Sequence, residues 1–152
     1  GNDCNFDWPA IGRDPDYPHQ PVTALADFEA TMRECIGLLR GAGITPVLMS
    51  LPPVDSDKYY EYIISKGVDR CSLLKFLGTP LSIYRYQELY SVAISKLARS
   101  EELPFVDGRY AFLEGIGRQF SQLISGDGLK KKKKGYEIVA RCFRERLESI
   151  KE

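Results

Sequence analysis

An α/β fold with a parallel sheet is what this chain predicts, and three observations carry it. Two short apolar runs, within "ITPVLMSLPPV" and "LPFVDG", have the length and character of buried parallel strands. Stretches with apolar residues at helical spacing lie before, between and after them. The resulting order of loop, helix, strand, helices, strand, helix is the alternation from which parallel sheets are built. With 152 residues, the chain is long enough for a single domain, 1–152, with a core of its own.

The elements follow in order. Residues 1–22 hold four prolines and several Asn and Asp turn formers, and read as loop. Thr23 is placed to cap a helix that carries Phe28, Met32, Ile36 and Leu39 on one stripe and ends at Gly41–Gly43. The first strand spans 45–51 and is stopped by Pro52 and Pro53. Short helices are expected at 56–66 and 71–77. A longer one follows over 83–99, with Leu89, Val92, Ala93 and Leu97 facing inward. The second strand, 103–107, ends in Asp107. A helical turn follows in "RYAFLEGI", then a loop over 121–134. The last helix spans 135–151, with Val139, Phe143, Leu147 and Ile150 on one face. The two strands should be parallel neighbours, with the intervening helices on one face by the right-handed crossover rule. Two strands alone make a poor parallel sheet, so the expectation is that further strands lie upstream of Gly1.

Composition narrows the function. Acidic and basic residues balance at 21 each, so the overall charge gives no reason to expect a nucleic-acid or membrane partner. The apolar runs are far too short to span a bilayer. Cys4, Cys35, Cys71 and Cys142 are widely spaced, and His19 is the single histidine. A zinc site therefore has no ligand set, and the cysteines read as reduced, mostly buried thiols. The one concentration of charge is "DGLKKKKKGYEIVA", with five lysines at 130–134. It stands where a helix should begin, and cations in a first turn oppose the macrodipole at about 0.3–1 kcal/mol each. It also lacks the usual capping residue. A stretch that breaks local rules marks a functional or an altered site.

Two separated motifs now combine. The chain begins "GND" (Gly1, Asn2, Asp3), and Asp127 to Tyr136 reads D-G, six residues, G-Y. Taken together and in this order, they resemble the SGNH, or GDSL-like, serine hydrolases over nearly the whole chain, as that family's C-terminal two-thirds. The resemblance implies a flavodoxin-like, three-layer α/β/α fold whose parallel sheet has about five strands. It implies an ester hydrolase that works through an acyl-enzyme on a small acyl ester, such as an acetylated sugar or a lipid-like ester, without cofactor or metal. Matched residue by residue, Asn2 falls on the oxyanion-hole asparagine, a preorganised donor for the developing charge. Gly1 falls on the variable position before it. Asp127 falls on the triad acid that orients the histidine.

The departures matter as much. The histidine position is occupied by Lys130, and Lys131 and Lys132 stand where Pro-Asn would follow. The G-D-S and glycine segments have no counterpart in the chain. A protonated lysine cannot accept a serine proton at neutral pH, so Lys130 is read as non-functional within a solvated charge run. The chain alone should therefore be inactive, with its missing parts on an upstream segment or a companion chain. The alternatives are a non-catalytic or engineered fragment of the fold, and an anion-binding module that uses the lysine run on a phosphate-rich partner. Trp8, Tyr59, Tyr60, Tyr62, Tyr84 and Tyr86 could line an acyl or sugar pocket, or simply pack between short helices. Asn2 and Asp127 should meet at the C-terminal edge of the sheet.

Overall fold

The computed structural model describes residues 2–114 and 120–151. Gly1, matched above to a variable motif position, and the end of "RYAFLEGI" lie outside the described residues. The architecture is mixed α/β and mostly helical, around a two-stranded parallel sheet. The strands are β1 (Leu48–Met49) and β2 (Phe105–Val106), in register Leu48 with Phe105 and Met49 with Val106. Leu48 and Ser50 donate their amides to the carbonyls of Pro104 and Val106, at 3.0 and 3.1 Å. The expected pairing is present but confined to the centre of each predicted strand. Prolines 46, 52, 53 and 104 remove ladder donors on either side. A three-layer sheet is not formed by the described residues.

The first helix is one the sequence reading took for loop: α1 (Trp8–Arg13). Its start signals are local. Asp7 accepts the Ala10 amide at 3.0 Å, and Pro9 sits in the first turn, where its missing N–H costs nothing. Helix α2 (Leu25–Gly41) is not capped by Thr23. The N-cap is Ala24, without a side-chain bond, and the Thr23 hydroxyl instead donates to Asp3 at 3.1 Å. On α2, Ile36 is buried and Phe28 and Met32 pack beside it, while Leu39 remains exposed.

Between the strands lie α3 (Ser56–Ser65), α4 (Arg70–Leu77) and α5 (Leu81–Ser100). Asp55 caps α3 at the Lys58 amide, and Asp69 caps α4 at the Ser72 amide. The inner face of α5 is rotated from the predicted one. Ala93 and Leu97 are buried, but Leu89 and Val92 are exposed, and Ile83, Gln87, Tyr90, Ser91, Ile94 and Ala98 take the interior. Beyond β2 come α6 (Gly108–Glu114), α7 (Phe120–Leu123) and α8 (Lys133–Lys151). The predicted 121–134 loop thus holds the end of α7 and a backbone bridge between Ile124 and Lys131, and α8 begins two residues early. Val139 and Phe143 on α8 are half-buried, whereas Leu147 and Ile150 are exposed.

Three apolar clusters hold these elements. Phe6, Trp8 and Ile11 meet Tyr59, Ile63, Leu73 and Ile83 where α1 packs on α4 and α3 on α5. Ile36 meets Leu48, Ile94 and Leu97 between α2, β1 and α5. Phe112, Leu123 and Ile124 fill the space under α8. Each fully buried Leu, Ile or Phe contributes about 1.5–3 kcal/mol. The four cysteines are not the buried thiols expected: Cys35 and Cys71 are exposed, and Cys4 and Cys142 are half-buried. Among the described residues, no helix is long and apolar enough to cross a membrane.

Candidate functional site

Past the end of β1, the chain runs through Leu51 and Pro52 into a cavity of about 410 Å³. Asn2, Asp127 and Lys130 all line it, brought together from opposite ends of the chain. Its apolar wall comes from Leu51, Pro52, Val54 and Leu129, with Tyr59, Tyr62 and Tyr136 around it. Gln87 and Lys131 complete the polar side.

Each end of this site is held by its own lashing. At the first end, the Asn5 amide donates to the Asn2 carbonyl at 3.1 Å, closing a turn. The Thr23 amide donates to the Asp3 carbonyl, and the Val22 amide to that of Asn5. The Asn5 side-chain oxygen accepts from Trp8 Nε1 at 2.7 Å and from the Tyr59 hydroxyl at 2.9 Å. Trp8 Nε1 also reaches the Tyr59 oxygen at 3.0 Å. A Trp–Tyr–Asn triangle, buried on its Trp8–Tyr59 side, thus ties the Asn2 turn to α3.

At the other end, the segment 124–131 folds back on itself. Ser125 donates its amide to the Lys130 carbonyl at 2.8 Å, and Lys132 donates to Leu123 at 2.8 Å. Inside this loop, Asp127 Oδ1 accepts the Leu129 and Lys130 amides, both at 3.0 Å, and the Ser125 hydroxyl. Partial burial pushes the Asp127 carboxyl up. The Ser125 hydroxyl, the two amides and the Lys130 charge outweigh that and hold it below the usual aspartate range. Gly128, with φ of +73°, carries the chain against α3, where its carbonyl accepts the Asp55 amide at 3.0 Å.

The lysine run is thereby divided. Lys130 to Lys132 are held by backbone pairing with 123–125, and only Lys133 and Lys134 stand in α8. Both are exposed, where water weakens their conflict with the macrodipole, and Lys134 donates to Gln122 at 3.0 Å. Lys130 is exposed as well. Lys131 departs from the expected solvated run: it is half-buried, and desolvation lowers its ammonium pKa. His19 does not line this cavity. Its Nε2 sits 2.7 Å from the Asp14 carbonyl oxygen, and its ring packs edge-on to Tyr17 and Phe76.

The aromatic residues separate into two groups. Tyr59 and Tyr62 line the cavity, stacked with centroids 6.1 Å apart. Trp8 and Tyr60 are core residues, and Tyr86 packs on Phe6. Tyr84 lies under the Arg109 guanidinium, 5.4 Å from the ring centroid.

Arg109 is the functional-looking residue that sequence reasoning missed. It is 8% exposed, and it donates to Gln87 at 2.7 Å and to Ser91 at 3.2 Å. It also faces Glu88 at 2.9 Å as an ion pair, although that Glu88 oxygen has no well-aligned hydrogen-bond donor. Gln87 donates to the Pro52 carbonyl at 2.6 Å, and Ser91 accepts the Leu51 amide at 3.1 Å. This buried network fixes the segment that walls the cavity. The signal was available in polar Gln87 and Ser91, one helical turn apart on a helix otherwise read as presenting apolar residues inward.

No family model matches the chain. It is similar to the isoamyl acetate-hydrolyzing esterase of Saccharomyces cerevisiae, with 30% identity over 117 residues. The match takes in 75% of this chain and 44% of the relative, so the chain spans less than half of that protein's length. The chain is therefore a distant relative of an esterase.

Proposed function

We propose that this chain carries the oxyanion-donor and acid half of an SGNH-type ester hydrolase acting on a small acetate-like ester. The observation that supports it best is the shared cavity: Asn2 and Asp127, the two residues that match the family's motifs, line one space beyond the end of β1. Strand C-terminal ends are where open α/β sheets collect their ligands. The relative's own activity, hydrolysis of isoamyl acetate, points to the substrate class.

In this reading, Asn2 donates its side-chain N–H to the tetrahedral oxyanion. Asp127, kept charged by its three donors, orients a histidine standing where Lys130 is now. Tyr59, Tyr62, Leu51 and Leu129 receive the apolar part of the ester. The histidine position of the motif holds Lys130 in this chain, and in a Ser–His pair the loss of either member removes most of the rate. Lys130, an exposed side chain on a solvated stretch, does not replace the base.

The test is p-nitrophenyl acetate turnover from pH 6 to 9. The chain alone, and Lys130→His alone, should show only background. Lys130→His with a G-D-S segment fused ahead of Gly1 should turn over, and Asn2→Ala should then lower that rate by roughly two to three orders of magnitude. Turnover by the unaltered chain that disappears in Lys130→Ala would overturn the reading.

A further inference from the structure

We propose that the cavity beside Asp127 is a binding site for a small amphiphilic monocarboxylate, with Lys131 as the group that takes the carboxylate and the aromatic wall as the seat of its tail. This rests on the reading of that cavity as the ester site, and it names the ligand the chain holds without doing chemistry: an aliphatic acid whose tail takes the place of the ester's apolar part.

The charge of the cavity favours an anion. Its lining holds two lysines, Lys130 and Lys131, against one acid, Asp127. Asp127 Oδ1 is already met by the Ser125 hydroxyl and by the Leu129 and Lys130 amides, so much of its charge is answered locally. Lys131 is different. Among the described residues it forms no ion pair with a carboxylate. Its stem is held against Gly135, since a Cβ built there would stand 3.0 Å from Lys131 Cβ. The backbone bridge to Ile124 fixes its place in the chain. A half-buried ammonium that has lost part of its hydration and is ion-paired with no carboxylate is stabilised when an anion arrives, and that contact is charge-assisted.

The rest of the lining selects among anions. Leu51, Val54, Leu129, Tyr59 and Tyr62 offer an apolar surface that inorganic phosphate cannot use. A ligand must bring both a carboxylate and a tail to use both halves. The lysine run thus acts through one of its members and through cavity shape, which sets this apart from a solvated patch for phosphate-rich partners.

The experiment is a titration of the isotope-labelled chain at low salt and pH 7, followed by amide NMR shifts. The probes are hexanoate, hexanol, acetate and inorganic phosphate. Hexanoate should move the amides of Leu51, Leu129 and Lys131 saturably, with hexanol and acetate each clearly weaker and phosphate weaker still. Lys131→Met keeps the length and removes the charge, and should weaken hexanoate about tenfold. Lys130→Met should change it less than Lys131→Met, because that side chain is exposed. Absence of saturable shifts with hexanoate, unchanged affinity in Lys131→Met, or phosphate binding as tightly as hexanoate would each overturn the proposal. Hexanoate binding in the chain, without turnover in the Lys130→His protein fused to the G-D-S segment, would uphold the carboxylate site and reject the ester reading. Turnover there without hexanoate binding would do the reverse.

Discussion

Replacing Gly128 with alanine puts a methyl group where backbone atoms already stand. A Cβ at this position would lie 2.5 Å from the Asp55 carbonyl oxygen, 2.6 Å from the Tyr59 amide nitrogen and 3.1 Å from Tyr59 Cα. None of these is the tip of a flexible side chain, so α3 or the 124–131 segment must move. Three costs then add. The left-handed φ of +73° costs a residue with a Cβ about 1–2 kcal/mol. Forcing apart packed backbone costs about 1–3 kcal/mol. The Asp55 amide loses its 3.0 Å bond to the Gly128 carbonyl, worth about 1 kcal/mol. The total is about 3–6 kcal/mol, a large share of the stability of an ordinary domain. Urea unfolding followed by far-UV circular dichroism measures it. Gly126→Ala is the control two residues away: a Cβ there meets nothing within 4 Å and φ is not left-handed, so stability should change by less than about 1 kcal/mol. A loss below about 1 kcal/mol in Gly128→Ala, or one no larger than in Gly126→Ala, would refute this account of how Asp127 is held against α3.

Two further outcomes follow from the same contacts. Arg109→Met should destabilise the chain by about 3 kcal/mol, because it strands Glu88 and the Gln87 oxygen around a buried position; urea midpoints would show it, and a loss under about 1 kcal/mol would make the network incidental. The Asp127 carboxyl is held below its unfolded value, so its contribution is present above the unfolded pKa near 3.9 and is lost as pH falls through the folded one. Asp127→Asn should therefore flatten the decline in urea midpoint between pH 5 and 2, and parallel slopes for the two proteins would contradict the bonding described for Asp127.

Much of the helical framework was legible without coordinates, because it rests on local rules. Helices α3, α4 and α5 fall close to their expected positions, since apolar spacing, Asp55 and Asp69 as caps, and flanking Pro and Gly are all short-range signals. Helix α1 carried such signals too, in Asp7 and Pro9, and was obscured by the prolines around it. The Thr23 cap failed for a long-range reason: its hydroxyl is taken by Asp3, twenty positions away. On α5, the apolar residues suited two adjacent faces. The choice fell to buried Arg109, whose need for Gln87 and Ser91 turns a polar pair inward and leaves Leu89 and Val92 outside.

What the sequence determined by itself was the order of the two strands and of the helices around them apart from α1 and α7, the parallel pairing at the centre of two apolar runs, and the two motifs that carry Asn2 and Asp127. Those depend on neighbours along the chain, which a sequence displays directly. Only the tertiary structure decided which residues wall the cavity that Asn2 and Asp127 share, that Lys131 alone of the five lysines is turned into half-burial there, and that Gly128 must be glycine because α3 presses on it. These depend on distances between segments far apart in the chain, and such distances are set by how α3, the Asn2 turn and the 124–131 loop pack together, not by the spacing of residues within any one of them.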